Sequence, residues 1–119
     1  MNLRTQQLSA FYDAAVVPSA SLDAVDNLIG HEPSGDLFVA EDGGNLEIGL
    51  LNTYGAPVVA PFLRFVGHDN SEVSGIAFSP DNTRLYVASQ RGTDGVTGMV
   101  FEVSGPFRRP SKRWNFAVL

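Results

Sequence analysis

Cysteine is absent from this chain of 119 residues, which excludes disulfide bonds, thiolate metal sites and a cysteine nucleophile. No apolar run approaches the roughly 20 residues that a membrane-spanning helix needs. The N-terminal stretch MNLRTQQLSAFYD also lacks the apolar core of a signal peptide. The composition, 44% hydrophobic and 18% charged, is that of a globular protein, and the length suits one small domain.

Basic residues are scarce, and they are unevenly placed. Eight Lys and Arg stand against 13 Asp and Glu, which gives a net charge of −5. An acidic body argues against nucleic-acid binding and suits cation binding. We interpret residues 110–119 as a basic and aromatic tail, which is either a solvated end or a contact for an anionic partner. Four of the eight basic residues lie near the end of the sequence, namely Arg108, Arg109, Lys112 and Arg113.

A long helical periodicity is missing too, and short β-rich runs alternate with Gly, Pro, Asn and Asp turns. Turn residues such as Pro33-Ser34-Gly35 and Pro80-Asp81-Asn82 favour sequential antiparallel hairpins. The predicted strands lie near residues 8–13, 25–30, 36–41, 46–52, 57–63, 73–79, 84–89 and 98–104.

The chain contains an internal repeat. VDNLIGHEPSGDLFVAEDGG at 25–44 aligns with VSGIAFSPDNTRLYVASQRG at 73–92, at a constant offset of 48 residues. A period of about 40–50 residues with four short strands is typical of a β-propeller blade. We therefore predict an all-β fold of antiparallel four-stranded blades, with about two blades present and the ring incomplete. The alternative is a small sandwich or meander of about eight strands.

The predicted partial propeller covers residues 1–109. Residues 25–63 form one blade, residues 73–104 form part of the next, and residues 8–13 are an outer strand of a preceding blade. Because about two blades cannot close a ring, we expect either the remaining blades of a longer protein or self-association through the open edges.

One end of the first predicted hairpin is rich in carboxylates. Asp26 and Asn27 open its first strand, and Glu41 and Asp42 close its second, so antiparallel pairing brings all four to the same end. If the blades are neighbours, Glu72 approaches the same rim. Such oxygens are the ligands of a hard cation, most simply Ca²⁺, and without a cation at least one crowded carboxyl should have a raised pKa. The alternative is that these are turn residues with solvated side chains.

The second repeat does not keep these groups, so the fold itself does not demand them. Ser89 and Gln90 stand where Glu41 and Asp42 stand in the first repeat. Beyond Asp42, Gly43 and Gly44 would let the backbone turn sharply and approach a site closely.

Three further side chains are candidates of a weaker kind. His68 precedes Glu72 in the chain and could contact a metal ligand or a substrate. Arg91 could meet an anionic substrate or form a structural ion pair. His31 lies at the turn end of the hairpin, where we expect a surface residue. No serine in this region lies in a nucleophile elbow, so a Ser-His-Asp triad is not supported.

The stretches VDNLIGHEPSGDLFVAEDGGNLEIGLL, APFLRFVGHDNSEVSGIAFSPDNTRLYVASQRG and GMVFEVSGPFR resemble the C-terminal part of the PhoX-type alkaline phosphatase family. The resemblance covers roughly residues 8–109. The calcium-dependent gluconolactonase and paraoxonase propellers are looser relatives, which share the DN strand opening.

The resemblance implies a function and a set of ligands. PhoX-like enzymes are single-chain β-propellers, exported by the twin-arginine route to the periplasm or beyond, that hydrolyse phosphate monoesters with calcium and iron ions in a central channel. Asp42, His68 and Arg91 are candidates, from their places in the sequence, to support the metal ligands or contact substrate. The metal ligands that the resemblance implies are Asp26, Asn27, Glu41 and Glu72.

We therefore expect this chain to supply part of a calcium and iron site of a PhoX-like phosphatase acting on phosphate esters. It lacks the other blades and most of the carboxylate shell, so we expect it to be inactive alone. The alternatives are a non-catalytic segment that binds calcium or a protein partner, and a lactonase-like calcium-dependent hydrolase.

Overall fold

The computed structural model describes residues 4–17, 22, 24–42, 46–53 and 58–108. This part of the chain is all-β, with seven strands in two antiparallel sheets and no helix. A helix long and apolar enough to cross a membrane is therefore not found among the described residues. The strands are β1 Val25–His31, β2 Asp36–Glu41, β3 Glu47–Leu51, β4 Val59–Arg64, β5 Val73–Phe78, β6 Arg84–Ser89 and β7 Met99–Ser104.

Each sheet is a meander of sequential hairpins. The first sheet has the order β1-β2-β3-β4 and the second has the order β5-β6-β7. Seven of the eight predicted strands are present, with every end within two residues of its predicted place. The two sheets form an incomplete propeller-like fold, which confirms the predicted fold class.

Side-chain hydrogen bonds close the turn between β5 and β6. Asp81 Oδ1 accepts hydrogen bonds from Ser79 Oγ at 2.6 Å and from the Thr83 amide at 3.1 Å. These bonds, with one from the Thr83 hydroxyl, lower the pKa of Asp81 to about 2. Asn82 takes a positive φ of 58°, which asparagine tolerates better than most residues. The Pro80-Asp81-Asn82 turn is thus held by the chemistry that its sequence predicts.

The strand registers confirm the 48-residue repeat. Val25 pairs with Glu41 in the first sheet, and Val73 pairs with Ser89 in the second. Each hairpin then has a β-bulge at the same place, between Val25 and Leu28 in β1 and just after Val73 in β5. An equal register with an equal bulge means that the two hairpins are one structural unit used twice.

Strand alternation gives each sheet two faces. We call them the front face and the back face, and equivalent positions of the two sheets carry the same name. The front face of the first sheet comprises Leu28, Leu37, Val39 and Leu51, and its back face comprises Ile29, Phe38, Ala40, Ile48 and Leu50. The front face of the second sheet comprises Ile76, Leu85, Val87 and Val103, and its back face comprises Ala77, Tyr86, Ala88, Val100 and Glu102.

The main core lies between the back face of the first sheet and the front face of the second. It unites Phe38 and Ile48 from one side with Leu85 and Val87 from the other. The Phe38 and Phe78 rings meet edge to face, with centroids 5.1 Å apart, a favoured aromatic geometry. Successive sheets therefore stack in the same sense, back on front.

Residues 8–13 do not form the predicted strand; the nearest pairing is an isolated bridge at Gln7. The Tyr12 hydroxyl donates a 2.8 Å hydrogen bond to the Leu22 carbonyl. Leu22 is buried on the front face of the first sheet with Val39 and Leu51. The segment at 8–13 thus contributes side chains that cover the first sheet. This packing explains why the segment contains apolar residues although it forms no strand.

The prediction that His31 is a surface residue is wrong. His31 is buried, and its Nδ1 lies 2.8 Å from Ser34 Oγ. Its ring stacks at 4.7 Å from the Phe78 ring and at 5.6 Å from the Phe107 ring. The second sheet and the segment after β7 cover the turn end of the hairpin, which no local pattern in the sequence reveals.

Arg108, the first of the four basic residues near the end of the sequence, forms an ion pair with Asp36. Its guanidinium donates to both oxygens of Asp36, from Nε to Oδ2 at 2.9 Å and from Nη2 to Oδ1 at 2.5 Å. Burial raises the pKa of Asp36, but the hydrogen bonds from Arg108 and Ser34 and the Arg108 charge outweigh it. The pKa is therefore lowered from its ordinary 3.8. The predicted tail at 110–119 lies outside the described residues.

The Asp36 carboxylate has no exposed side-chain surface, so removing its partner should be costly. We expect Arg108→Ala to lower the free energy of unfolding at neutral pH by about 3 kcal/mol, because it leaves a buried charge unpaired. A lowered folded-state pKa gives stability that is present above the unfolded pKa and lost as pH falls through the folded one. The deficit of the variant, measured by urea unfolding, should therefore shrink toward low pH.

Arg84→Ala is the matched control for this experiment. Arg84 pairs with Glu102 at 3.1 Å with both side chains about half exposed, and such pairs contribute less than about 1 kcal/mol. Equal losses in the two variants would contradict a special role for the Arg108–Asp36 pair.

Candidate functional site at the bulged end of the sheets

The two β-bulges lie side by side at one end of the stacked sheets. Asn27, in the β1 bulge, donates a hydrogen bond from Nδ2 to the carbonyl of Ser74 in the β5 bulge at 2.8 Å. The same nitrogen lies 2.7 Å from Asp26 Oδ2. Bulges re-aim side chains and are common beside functional sites. The predicted neighbours Asp26 and Asn27 thus lie at the seam between the two sheets.

Asp42 meets Glu72 across this seam. The Asp42 amide donates to the Ala24 carbonyl at 2.8 Å, which extends the β1–β2 pairing by one residue. Asp42 therefore continues the alternation of the back face, which is the face that packs on the second sheet. Glu72 immediately precedes β5, and its carboxyl group lies near enough to that of Asp42 to raise the pKa of Glu72.

This contact perturbs the protonation of Glu72. The hydrogen bond with Asp42, partial burial and the negative charge of Asp42 together raise the pKa of Glu72 above its ordinary 4.5. A proton held between two carboxyls has this effect, because like charges at contact cannot both ionise freely. A raised pKa is the outcome that crowded carboxylates without a cation were predicted to show.

Arg91 completes the group of charges. Its Nη2 lies 3.4 Å from Glu72 Oε2, and its Nε donates to the Asn70 carbonyl at 2.8 Å. The Arg91 charge opposes the rise in the pKa of Glu72 without cancelling it. Of the two roles predicted for Arg91, the structural ion pair is the one with a visible partner. We call Asp26, Asn27, Asp42, Glu72 and Arg91 together the rim.

Glu41 does not belong to the rim. Its side chain is buried, and Oε2 accepts a hydrogen bond from the Glu47 amide at 3.1 Å, which holds the start of β3. Ser89, the equivalent residue of the second sheet, is buried as well. Both positions therefore anchor neighbouring segments through a buried polar side chain, although the residue type differs.

His68 lies behind the rim. It is buried, and its Nδ1 lies 2.8 Å from Ser89 Oγ, which in turn lies 2.7 Å from Ser71 Oγ. The Ser71 hydroxyl accepts a hydrogen bond from the Arg91 amide at 2.9 Å. The Phe65 and Phe101 rings flank the imidazole, each with its centroid at 5.7 Å. His68 thus supports the backbone that carries Arg91.

No three His, Asp or Glu side chains within the described ranges are grouped closely enough to hold a metal ion by themselves. Gly43 and Gly44, predicted to let the backbone approach a site, lie outside the described residues.

Comparisons with models of protein families, with curated proteins and with solved structures returned no match. The resemblance to PhoX-type phosphatases accordingly stays a prediction from the sequence motifs.

The carboxyl pair predicts a pH-dependent stability. Glu72 contributes stability while it is protonated, and this is lost as pH rises through its raised folded-state pKa. Asp42→Asn removes one charge with little change of shape. We expect its thermal midpoint, relative to that of the native chain, to rise as pH increases from about 4.5 to 7.

Circular dichroism melts over that pH range measure the difference, and Glu102→Gln serves as the control. Glu102 pairs with Arg84 on the opposite face of the second sheet, so its profile should run parallel to that of the native chain over this range. Parallel profiles for Asp42→Asn and the native chain would show that the two carboxyls do not interact.

Proposed function

We propose that the rim is one part of a calcium site and that the two sheets belong to a PhoX-like propeller that hydrolyses phosphate monoesters. The observation that carries this proposal is the contact between Asp42 and Glu72, which joins two carboxyls from different sheets at one end of the stack. The family resemblance points to the same end of the sheets through Asp26, Asn27 and Glu72.

The chemistry of the rim fits a hard cation. The close approach of the Asp42 and Glu72 carboxyls raises the pKa of Glu72, and a divalent ion bound between them would relieve their repulsion. Asn27, which joins the two sheets at the same end, would add an amide carbonyl, whereas Asp26 does not form a metal-holding group with these two carboxyls. Calcium binds six to eight oxygens, which include backbone carbonyls and waters, so these residues would form an arc of a site.

The chain's own residues suggest how such a site would treat a phosphate ester. Arg91 presents a guanidinium with about two-fifths of its side chain exposed, and guanidinium groups recognise phosphate oxygens through paired hydrogen bonds. Glu72 holds Arg91 in place, while Ser71 fixes its backbone. A bound calcium ion would supply charge neutralisation for the phosphoryl group.

A non-catalytic role for the rim is the second candidate, and the Arg91–Glu72 ion pair favours it. An arginine that already compensates one carboxylate gives the seam a way to tolerate its negative charge without a metal. In that case the rim is a device that holds the two sheets together.

Calorimetric titration with CaCl₂ at neutral pH distinguishes the two candidates. Because the rim supplies only part of a coordination shell, we expect weak binding, with a dissociation constant of about 0.1–1 mM. The affinity should fall as pH is lowered toward the raised pKa of Glu72, since protons and calcium compete for the same oxygens.

Two variants sharpen this titration. Asp42→Asn should lose most of the affinity, whereas Glu102→Gln, which removes an acid on the far face of the second sheet, should retain it. Absence of binding by the native chain, or equal binding by both variants, would contradict a calcium site at the rim.

The proposed hydrolysis needs groups on several sides of the phosphoryl centre, and the rim provides one side. We therefore expect no turnover of p-nitrophenyl phosphate by the 119-residue chain, with or without calcium, in a colorimetric assay. Turnover that is abolished by Asp42→Asn would overturn this view and assign catalysis to the chain itself.

A further inference from the structure

The exposed back face of the second sheet is the surface to which the geometry points. Its equivalent in the first sheet is the face that forms the main core with the second sheet. We propose that this back face binds a second copy of the chain, which offers the front face of its own first sheet. Copies would then stack head to tail, in the same sense as the two sheets within one copy.

Several back-face positions match between the two sheets. Phe38 and Ile48 are 2% and 0% exposed in the existing interface. Tyr86 and Val100 hold the equivalent places in the second sheet, where they are 36% and 75% exposed. Phe38 and Ile48 thus have counterparts that remain partly or largely exposed, whereas the counterpart of Leu50 is Glu102, which pairs with Arg84.

The front faces of the two sheets also carry matching residues at equivalent positions. The first sheet carries Leu37 and Val39 where the second sheet carries Leu85 and Val87. In the second sheet these positions pack against the neighbouring back face and form the main core. A front face with the same aliphatic residues is therefore a suitable partner for a back face of this type.

Part of the first sheet's front face is still accessible. Leu22 covers its centre, but Leu28, the equivalent of the packed residue Ile76, is 64% exposed. Phe11, Val25 and Leu28 line a groove of about 260 Å³ beside it, and Asp26 and Asn27 of the rim line the same groove. This groove is where Tyr86 and Val100 of the next copy would lie.

The sense of the stacking decides the kind of assembly. Because a back face meets a front face, the contact is heterologous, and the pair keeps one free front face and one free back face after the first contact. Such contacts produce chains or rings of copies rather than a closed symmetric dimer. This inference rests on strand register and exposure, and it is independent of the proposed hydrolysis.

Analytical ultracentrifugation of the 119-residue chain tests the proposal. The average mass should rise with concentration between about 10 µM and 1 mM. About 0.15 M salt should be present, because the chain carries a net charge of −5 and the copies repel at low ionic strength. A chain that stays monomeric across this range overturns the proposal.

Three lysine substitutions at exposed valine or leucine positions locate the contact. Val100→Lys on the back face and Leu28→Lys on the front face should each abolish association. Val66→Lys should not, because Val66 is 84% exposed in the turn after β4, away from both faces. Equal loss in all three variants, or none in the first two, contradicts the proposed surfaces.

Mixing the Val100→Lys and Leu28→Lys variants, neither of which should associate alone, is the sharpest test. The Val100→Lys chain keeps its front face, and the Leu28→Lys chain keeps its back face, so a one-to-one mixture has one intact contact. The mixture should form dimers and stop there, although each variant alone is monomeric. A mixture that stays monomeric would exclude head-to-tail stacking, and unchanged circular dichroism melts establish that both variants are folded.

Discussion

The burial of Phe38 between the two sheets is the constraint on which the rest of this structure depends. Its ring meets the Phe78 ring of the second sheet and the Phe107 ring of the segment that follows β7. Aromatic burial of this kind is worth several kcal/mol and also fixes orientation. Once the sheets are locked in this way, the two bulges lie side by side, and Asp42 meets Glu72.

The same constraint explains why one polar pair is buried far from the rim. Phe107 can pack against Phe38 only if the chain after β7 returns across the end of the first sheet. That path brings Arg108 to Asp36 and covers His31. The turn end of the stack is therefore closed by aromatic packing and one ion pair, whereas the opposite end keeps its charged groups partly accessible.

Much of the fold could be predicted from the sequence, because its information is local. Alternation and turn residues place β1 to β7 within two residues, and the 48-residue repeat predicts the equal registers. The segment at 8–13 misled the prediction because Phe11 and Tyr12 are apolar for a different reason, namely that they lie beside a sheet face. Contacts such as Arg108 with Asp36 span 72 residues, and no local pattern encodes them.

Antiparallel pairing brings the predicted site residues of the hairpin to one end, but strand alternation divides them. Consecutive side chains point to opposite faces, so Glu41 and Asp42 cannot serve the same surface equally. Glu41 is buried against the start of β3, and Asp42 continues the face that meets the second sheet. Hairpin topology alone brings four polar residues to one end, and only the stacking of the sheets selects among them.

This selection links the chemistry of the rim to the packing of the sheets. Asp42 belongs to the first sheet and Glu72 to the approach to the second, so their charge repulsion acts directly against the contact that buries Phe38. Any ligand that binds both carboxyls only while the sheets are stacked stabilises that contact, by an amount that grows as RT ln(1 + [L]/Kd). A proton already does this at low pH, Arg91 does so in part at any pH, and a divalent cation would do so at neutral pH. Ligand binding at the rim and the stability of the stacked sheets are therefore thermodynamically coupled.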